Sequence, residues 1–278
     1  MTVYKRDIRR ALELSGIHAG DTLLVHSSLK SMGYVDGGPD AVIDACLEAL
    51  GPSGTLVMPT LIQKNFPDAY RTWHLDKPSD VGLITETFRQ RPESIRSDQA
   101  THSVAAQGPL AEFLTRDHGK YGRRIGAFGD TPFAVCSPWQ KLYDLNAKVL
   151  LLGVTMKSNT CKHLTEYQMV DDLLSYVDDD EVRASLAARL RDHSNYTDPS
   201  RVWLFSSGEK CQAAVTEAGL LRQTLCGDAV FTVYRVKDTN DHTEKLFYSN
   251  PAAWYGENVV LWLNDAIRAG SYSPYRLS

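Results

Sequence analysis

The sequence predicts a layered α/β domain, and three observations carry that expectation. An apolar strand pattern at 22–26 is followed by a helical pattern over 39–50 and a second buried strand over 54–58. Further inner-strand patterns at 102–106 and 148–154 sit beside helical stretches. Hydrophobic residues make up 43% of the 278, enough for a sizeable core, yet no run approaches the ~20 apolar residues of a membrane span. Strand–helix–strand alternation indicates helices layered on a sheet. There is no internal repeat, low-complexity stretch or clear linker, so a single domain over 1–278 is expected.

Taken in order, residues 4–14 are amphipathic and read as a helix stopped by Ser15-Gly16. In 39–50 the apolar positions Val42, Ile43, Cys46, Leu47 and Leu50 recur at three and four, with Pro39 in the first turn and Gly51 at the stop. Residues 61–80 show little periodicity and read as a long functional loop. Helices are expected at 82–90 and 109–118, and over 160–192 with a break near 177–180. Strands are expected at 201–206 and 229–236, a helix at 208–220 and a last helix at 257–268.

A net charge of −4 gives no general attraction to nucleic acid or anionic membranes. The five cysteines are odd in number, scattered and without CxxC spacing. They argue against a disulfide framework or structural zinc and for a reducing cytoplasm. The N-terminal residues show no signal-peptide pattern. His74 and Asp76 resemble half a metal site, but no further ligands follow at suitable spacing, so no metal is expected.

Two constellations could carry chemistry. The first runs from Leu23 to Thr60: an apolar strand, a polar turn (His26, Ser27, Ser28, Leu29, Lys30, Ser31), then Gly37-Gly38 and a helix start. Amides without an internal partner, a helix N-terminus and the Lys30 charge together suit phosphate oxygens. It is neither a GxxxxGK[ST] loop nor a GxGxxG fingerprint. The second is His163 with Glu166. Three apart at the start of a predicted helix, they share a face, with Asn159 and Thr160 offering capping oxygens. A carboxylate there can fix the imidazole tautomer and raise its basicity, as a general base requires. The preceding LLLGV strand puts this helix start at the carboxyl edge of the sheet, where α/β proteins bind ligands. Cys161 lies two residues from His163 and does not face it, so it reads as core filler. Asp178–Glu181 read as a solvated helix start.

These motifs, in this order, resemble the aminoglycoside 3-N-acetyltransferase (antibiotic N-acetyltransferase, YokD-like) family. The resemblance rests on HSSLKS, Gly37-Gly38, the GTLVMPT strand, Ile95-Arg96-Ser97, Thr101–Ala106, LLLGV and Asn159–Glu166. It implies a three-layer α/β/α sandwich around a mixed β-sheet and an acetyl-CoA-dependent N-acetyltransferase acting on a small-molecule amine, as a monomer or homodimer. His163 would be the base and Glu166 its orienting partner. The acetyl-CoA phosphates would lie on Ser27–Ser31 and near Gly37-Gly38, and the pantetheine arm would pass Ser103 and Val104. The turn Ile125–Phe133 resembles a family loop, which implies cosubstrate contacts from Gly129, Thr131 and Phe133. The amine would be an aminoglycoside or a related aminosugar or amino-nucleotide, bounded by the 61–80 loop and the acidic region after Glu166. Relatives often carry His and Pro where this chain has Gln99 and Ala100. A non-catalytic antibiotic or coenzyme A binder, and a coenzyme A thioester hydrolase, are the alternative readings.

Overall fold

The computed structural model describes residues 2–64 and 66–270. A short parallel pair joins β1 (Thr2–Val3) to β3 (Tyr34–Val35). The main sheet comprises β2 (Thr22–Ser27), β4 (Thr55–Pro59), β5 (Ile95–Arg96), β6 (Val104–Gln107), β7 (Lys148–Leu152), β8 (Arg222–Cys226) and β9 (Ala229–Arg235). Its order is β5-β6-β4-β2-β7-β9-β8. The central β4, β2 and β7 are parallel, and the pairs outside them are antiparallel, so the sheet is mixed.

Alternation along each strand sends side chains to opposite faces. Leu23, Val25, Leu56, Met58, Leu150 and Leu152 pack against α1 (Lys5–Leu14), α2 (Gly38–Leu50) and α4 (Leu83–Arg89), which follows α3 (Phe66–Thr72). Leu24, Val57, Val149 and Leu151 face the other layer. That layer is built from α5 (Ala111–Thr115), α6 (Pro138–Asp144), α7 (Cys161–Ser175), α8 (Asp180–Ala188), α9 (Gly208–Glu217), α10 (Val236–Ser249), α11 (Pro251–Trp254) and α12 (Glu257–Ala269). The result is the expected three-layer sandwich.

Most expected elements are present, and the differences are instructive. The 61–80 loop contains α3. Residues 201–206 do not form a strand: apart from one bridge between Leu190 and Val202, this extended segment directs its polar groups at a side chain of α7. The edge strand β8 (RQTLC) is too polar and exposed to show an inner-strand pattern. Helix α10 was hidden because its buried face carries Thr239, Asn240 and Thr243. The threonine hydroxyls donate back to helix carbonyls, and Asn240 Nδ2 donates to Cys161 O at 3.0 Å. No helix among the described residues is long and apolar enough to cross a membrane.

Candidate active site

The carboxyl ends of β2, β4 and β7 meet at one edge of the sheet. From β2 the chain crosses through α2 to β4 on one side, while β7 lies on the other. This is the switch-point arrangement that opens a crevice in α/β sheets. A cavity of about 500 Å³ lies there, lined among others by His26, Ser27, Pro59, Asp80, His102, Phe128, Lys157, Asn159, Thr160 and His163.

His163 reaches this cavity from the first turn of α7. Asn159 Oδ1 accepts from Cys161 N at 3.0 Å, so the helix start is fixed by the residue the sequence nominated. His163 Nδ1 lies 2.8 Å from Glu166 Oε2. An ionised carboxylate only accepts, so Nδ1 carries the proton and Nε2 is left as the basic nitrogen. Burial pulls the His163 pKa below its ordinary 6.5, against the opposing pull of Glu166, so the ring is neutral near pH 7.

Glu166 is fully buried. Its Oε1 accepts from the Ser206 amide and hydroxyl, both at 2.9 Å, and Oε2 also accepts from Trp203 Nε1 at 3.1 Å. Lys162 Nζ lies 3.6 Å away and also donates to Ser206 O. Burial would raise this carboxyl; the His163 and Lys162 charges and the hydrogen bonds from His163 and Ser206 outweigh it and hold it at about 2. Trp203 and Ser206 were not legible as site residues. They lie forty residues or so along the chain, and their segment alternates like a strand.

The loop at 126–133 supplies the other wall. Tyr167, on α7, donates its hydroxyl to Gly129 O at 2.9 Å and accepts from Phe128 N at 2.9 Å. The Tyr167 ring lies where a Cβ on Gly126 would stand, so only glycine allows this approach. The loop thereby sets Phe128 edge-on to His163, with ring centroids 4.9 Å apart. Phe128 lines the cavity; Gly129, Thr131 and Phe133, the expected contacts, do not. Phe133 is fully buried, and Gly129 is closed over by Tyr70.

Gln99 is the buried hub of this wall. Its Oε1 accepts from the amides of Thr101 and His102, and its Nε2 donates to Tyr70 Oη and Thr131 Oγ1 at 3.1 and 3.2 Å. The departure at this position therefore holds backbone and loop together. Arg96 does similar work for the 61–80 segment, donating to the carbonyls of Thr60, Leu75 and Lys77. Asp80 accepts from the amides of Gln63 and Lys64 and presents its carboxylate at the cavity.

The other predicted residues are placed differently. Ser27 lines the cavity. The Ser28 amide donates to Leu152 O at 2.9 Å and the Ser31 amide to Ser28 O at 3.2 Å, so these two donors are not free as expected. Leu29 is half-buried and Lys30 exposed on a short 3₁₀ turn. Gly37 and Gly38, both at positive φ, begin α2 outside the cavity lining. Ser103 is fully buried and donates to Thr60 O at 3.0 Å, and Val104 is equally buried; neither is among the residues that line the cavity. The acidic run after Glu166 also lies off the cavity, where Asp179 caps α8. Cys161 is fully buried, and burial pushes its thiol up to about 12. Among the described residues no cluster of three or more His, Cys, Asp or Glu could hold a metal ion.

A sheet with a parallel centre and, at its carboxyl edge, a part-buried imidazole bonded to a fully buried carboxylate is the setting in which the comparisons with known proteins fall. The aminoglycoside 3-N-acetyltransferase family profile matches residues 24–248, and the chain belongs to that family. It is 33% identical over 188 residues to the SPbeta prophage-derived aminoglycoside N(3')-acetyltransferase-like protein YokD of Bacillus subtilis (strain 168), covering 59% of this chain and 65% of that protein. It is 35% identical over 179 residues to aminoglycoside N(3)-acetyltransferase III of Salmonella sp, covering 58% of this chain and 59% of that one. These alignments thus span about three-fifths of the curated relatives' length. The crystal structure of aminoglycoside acetyltransferase AAC(3)-IVa, apoenzyme, superposes with a TM-score of 0.69 at 22% identity, over 97% of this chain and 98% of that one. The YokD structure from Bacillus subtilis gives a TM-score of 0.66 at 25% identity, over 91% and 96%.

Proposed function

We propose that the chain is an N-acetyltransferase that moves the acetyl group of acetyl-CoA to an amine of an aminoglycoside or related aminosugar or amino-nucleotide. Family membership supports the class of reaction, and one neighbouring structure is titled as a binary complex with CoASH. The observation that carries the reading is the His163–Glu166 pair, with the imidazole bordering the cavity and the carboxylate sealed behind it.

In this reading the amine nitrogen attacks the thioester carbonyl carbon, and its proton passes to His163 Nε2. Glu166 holds the ring orientation and stabilises the imidazolium that forms. The tetrahedral centre collapses, the C–S bond breaks, and the departing sulfur takes the proton from His163 Nε2 to become the free thiol while the nitrogen keeps the acetyl group. Both substrates are bound together, with no acyl-enzyme. Cys161 is too deeply buried and too weakly acidic to intervene. Asp80 suits a further ammonium group of the amine substrate, Lys157 at the cavity suits the phosphates of the acyl donor, and Lys30 is exposed on the turn that follows β2. The phosphates would then track the Ser27–Ser31 turn toward Gly37-Gly38 mainly through side-chain charge.

His163→Ala tests the reading. It should lower kcat by ~10²–10⁴ and leave the dissociation constant for CoA within a few-fold. Near-wild-type turnover in that variant would sink the assignment.

A further inference from the structure

His26 stands at the end of β2, in register with Leu151 of β7 and on the cavity-facing side of the sheet beside Leu24 and Pro59. It is 5% exposed, and its Nε2 has no hydrogen-bond partner among the described residues. Burial lowers its pKa from 6.5 to about 4, so the ring is neutral and carries one N–H and one lone pair. An apolar side chain would fill this place without leaving a buried polar group unmet.

Several backbone amides around the cavity are already engaged. The amides of Ser28, Asn159 and His163 donate to Leu152, Met156 and Thr160 carbonyls. Those of Gln63 and Cys161 are engaged by Asp80 and Asn159. His102, the third imidazole of the cavity, has its Nδ1 tied to Thr101 Oγ1 at 2.8 Å.

We propose that His26 is a catalytic residue that donates its ring N–H to the carbonyl oxygen of the acyl donor. The proposal rests on the transferase reading above. As the amine nitrogen bonds to the carbonyl carbon, the carbonyl electron pair moves onto oxygen, where the His26 N–H holds it. When the C=O bond re-forms, the C–S pair departs with sulfur. His26 ends the cycle with its proton, and the amine's proton has passed by way of His163 to the departing sulfur. A neutral donor fits this role, since it keeps its proton throughout.

The test compares His26→Phe and His26→Gln with wild type in thiol release, using the amine that turns over best. His26→Phe should lower kcat by ~10²-fold, with the dissociation constant for CoA, which has no acyl carbonyl, changed less than about threefold. His26→Gln, which restores an N–H, should recover about tenfold of that loss. A His26→Phe variant within about threefold of wild-type kcat would overturn the proposal while leaving the transferase reading intact. No thiol release by wild type with any amine would sink both. Should His26→Phe fail to fold, ¹⁵N spectra of the wild-type imidazoles decide. A ketone analogue of acetyl-CoA should shift the His26 ring signal and CoA should not; equal shifts would overturn the proposal.

Discussion

The first turn of α7 and the loop at 126–133 meet across the His163 ring, and they make different use of similar sequence signals. Both carry motifs that resemble the family's, and both were expected to touch ligand. In α7 an imidazole and a carboxylate at helical spacing are neighbours on one face, and they meet each other. In the loop the glycines are packing: Gly126 makes room for the Tyr167 ring, and Gly129 offers its carbonyl to Tyr167. Among the described residues, Phe128 is the one from this loop that lines the cavity, and Phe133 stands behind it with its ring centroid 6.1 Å from that of His163. A side chain that must find a partner three residues away is more informative than a glycine, whose freedom serves a ligand or a neighbouring ring equally well.

The largest break in this comparison should come from Glu166→Gln. One carboxylate oxygen becomes an NH₂ that must face Ser206, Trp203 or His163, all donors to the native carboxylate. The imidazolium also loses its counter-charge. We expect kcat to fall ~10²-fold and the fold to weaken by about 1–3 kcal/mol, checked by steady-state kinetics and urea titration. An unchanged kcat would reduce the pair to a structural contact.

Gly126→Ala sharpens the other side. Its Cβ would overlap the Tyr167 ring, so the loop must shift at a cost of about 1–3 kcal/mol. Turnover should fall less than in Glu166→Gln, because only Phe128 is displaced. A melting curve identical to wild type would show that the loop is not seated by Tyr167.

The smallest and broadest effect is acid lability. His26 and His118 are held by burial at about 4 and about 3. Below pH 6.5 the unfolded chain takes up protons at these rings while the folded chain does not, so stability should fall as pH drops from 6.5. Glu166, held at about 2, stabilises the fold above its ordinary 4.5 and loses that contribution as pH falls toward 2. Melting temperature against pH checks both limbs, and Glu166→Gln should flatten only the lower one.

What was legible in the sequence follows this logic. The parallel centre of the sheet, α2 and the α7 dyad showed because apolar periodicity and helical spacing are local signals. Helix α10 did not, since it buries threonines and an asparagine whose hydroxyls and amide are satisfied in ways no periodicity records. Trp203 and Ser206 did not, because the carboxylate they bind lies in another element. The partner of Ser103 was not legible for a related reason: its hydroxyl donates to Thr60 O on the neighbouring strand, a contact no local pattern records.

The central claim is amine-dependent acetyl transfer, and the stoichiometry of thiol release tests it most directly. Acetyl-CoA is mixed with the chain alone and then with a panel of aminoglycosides, aminosugars and amino-nucleotides, following free thiol and N-acetyl product together. We expect negligible thiol without amine and, with the right amine, one N-acetyl product for each thiol. Thiol release at the same rate without amine would make the chain a thioesterase, and none under any condition would make it a binder; either result contradicts the account.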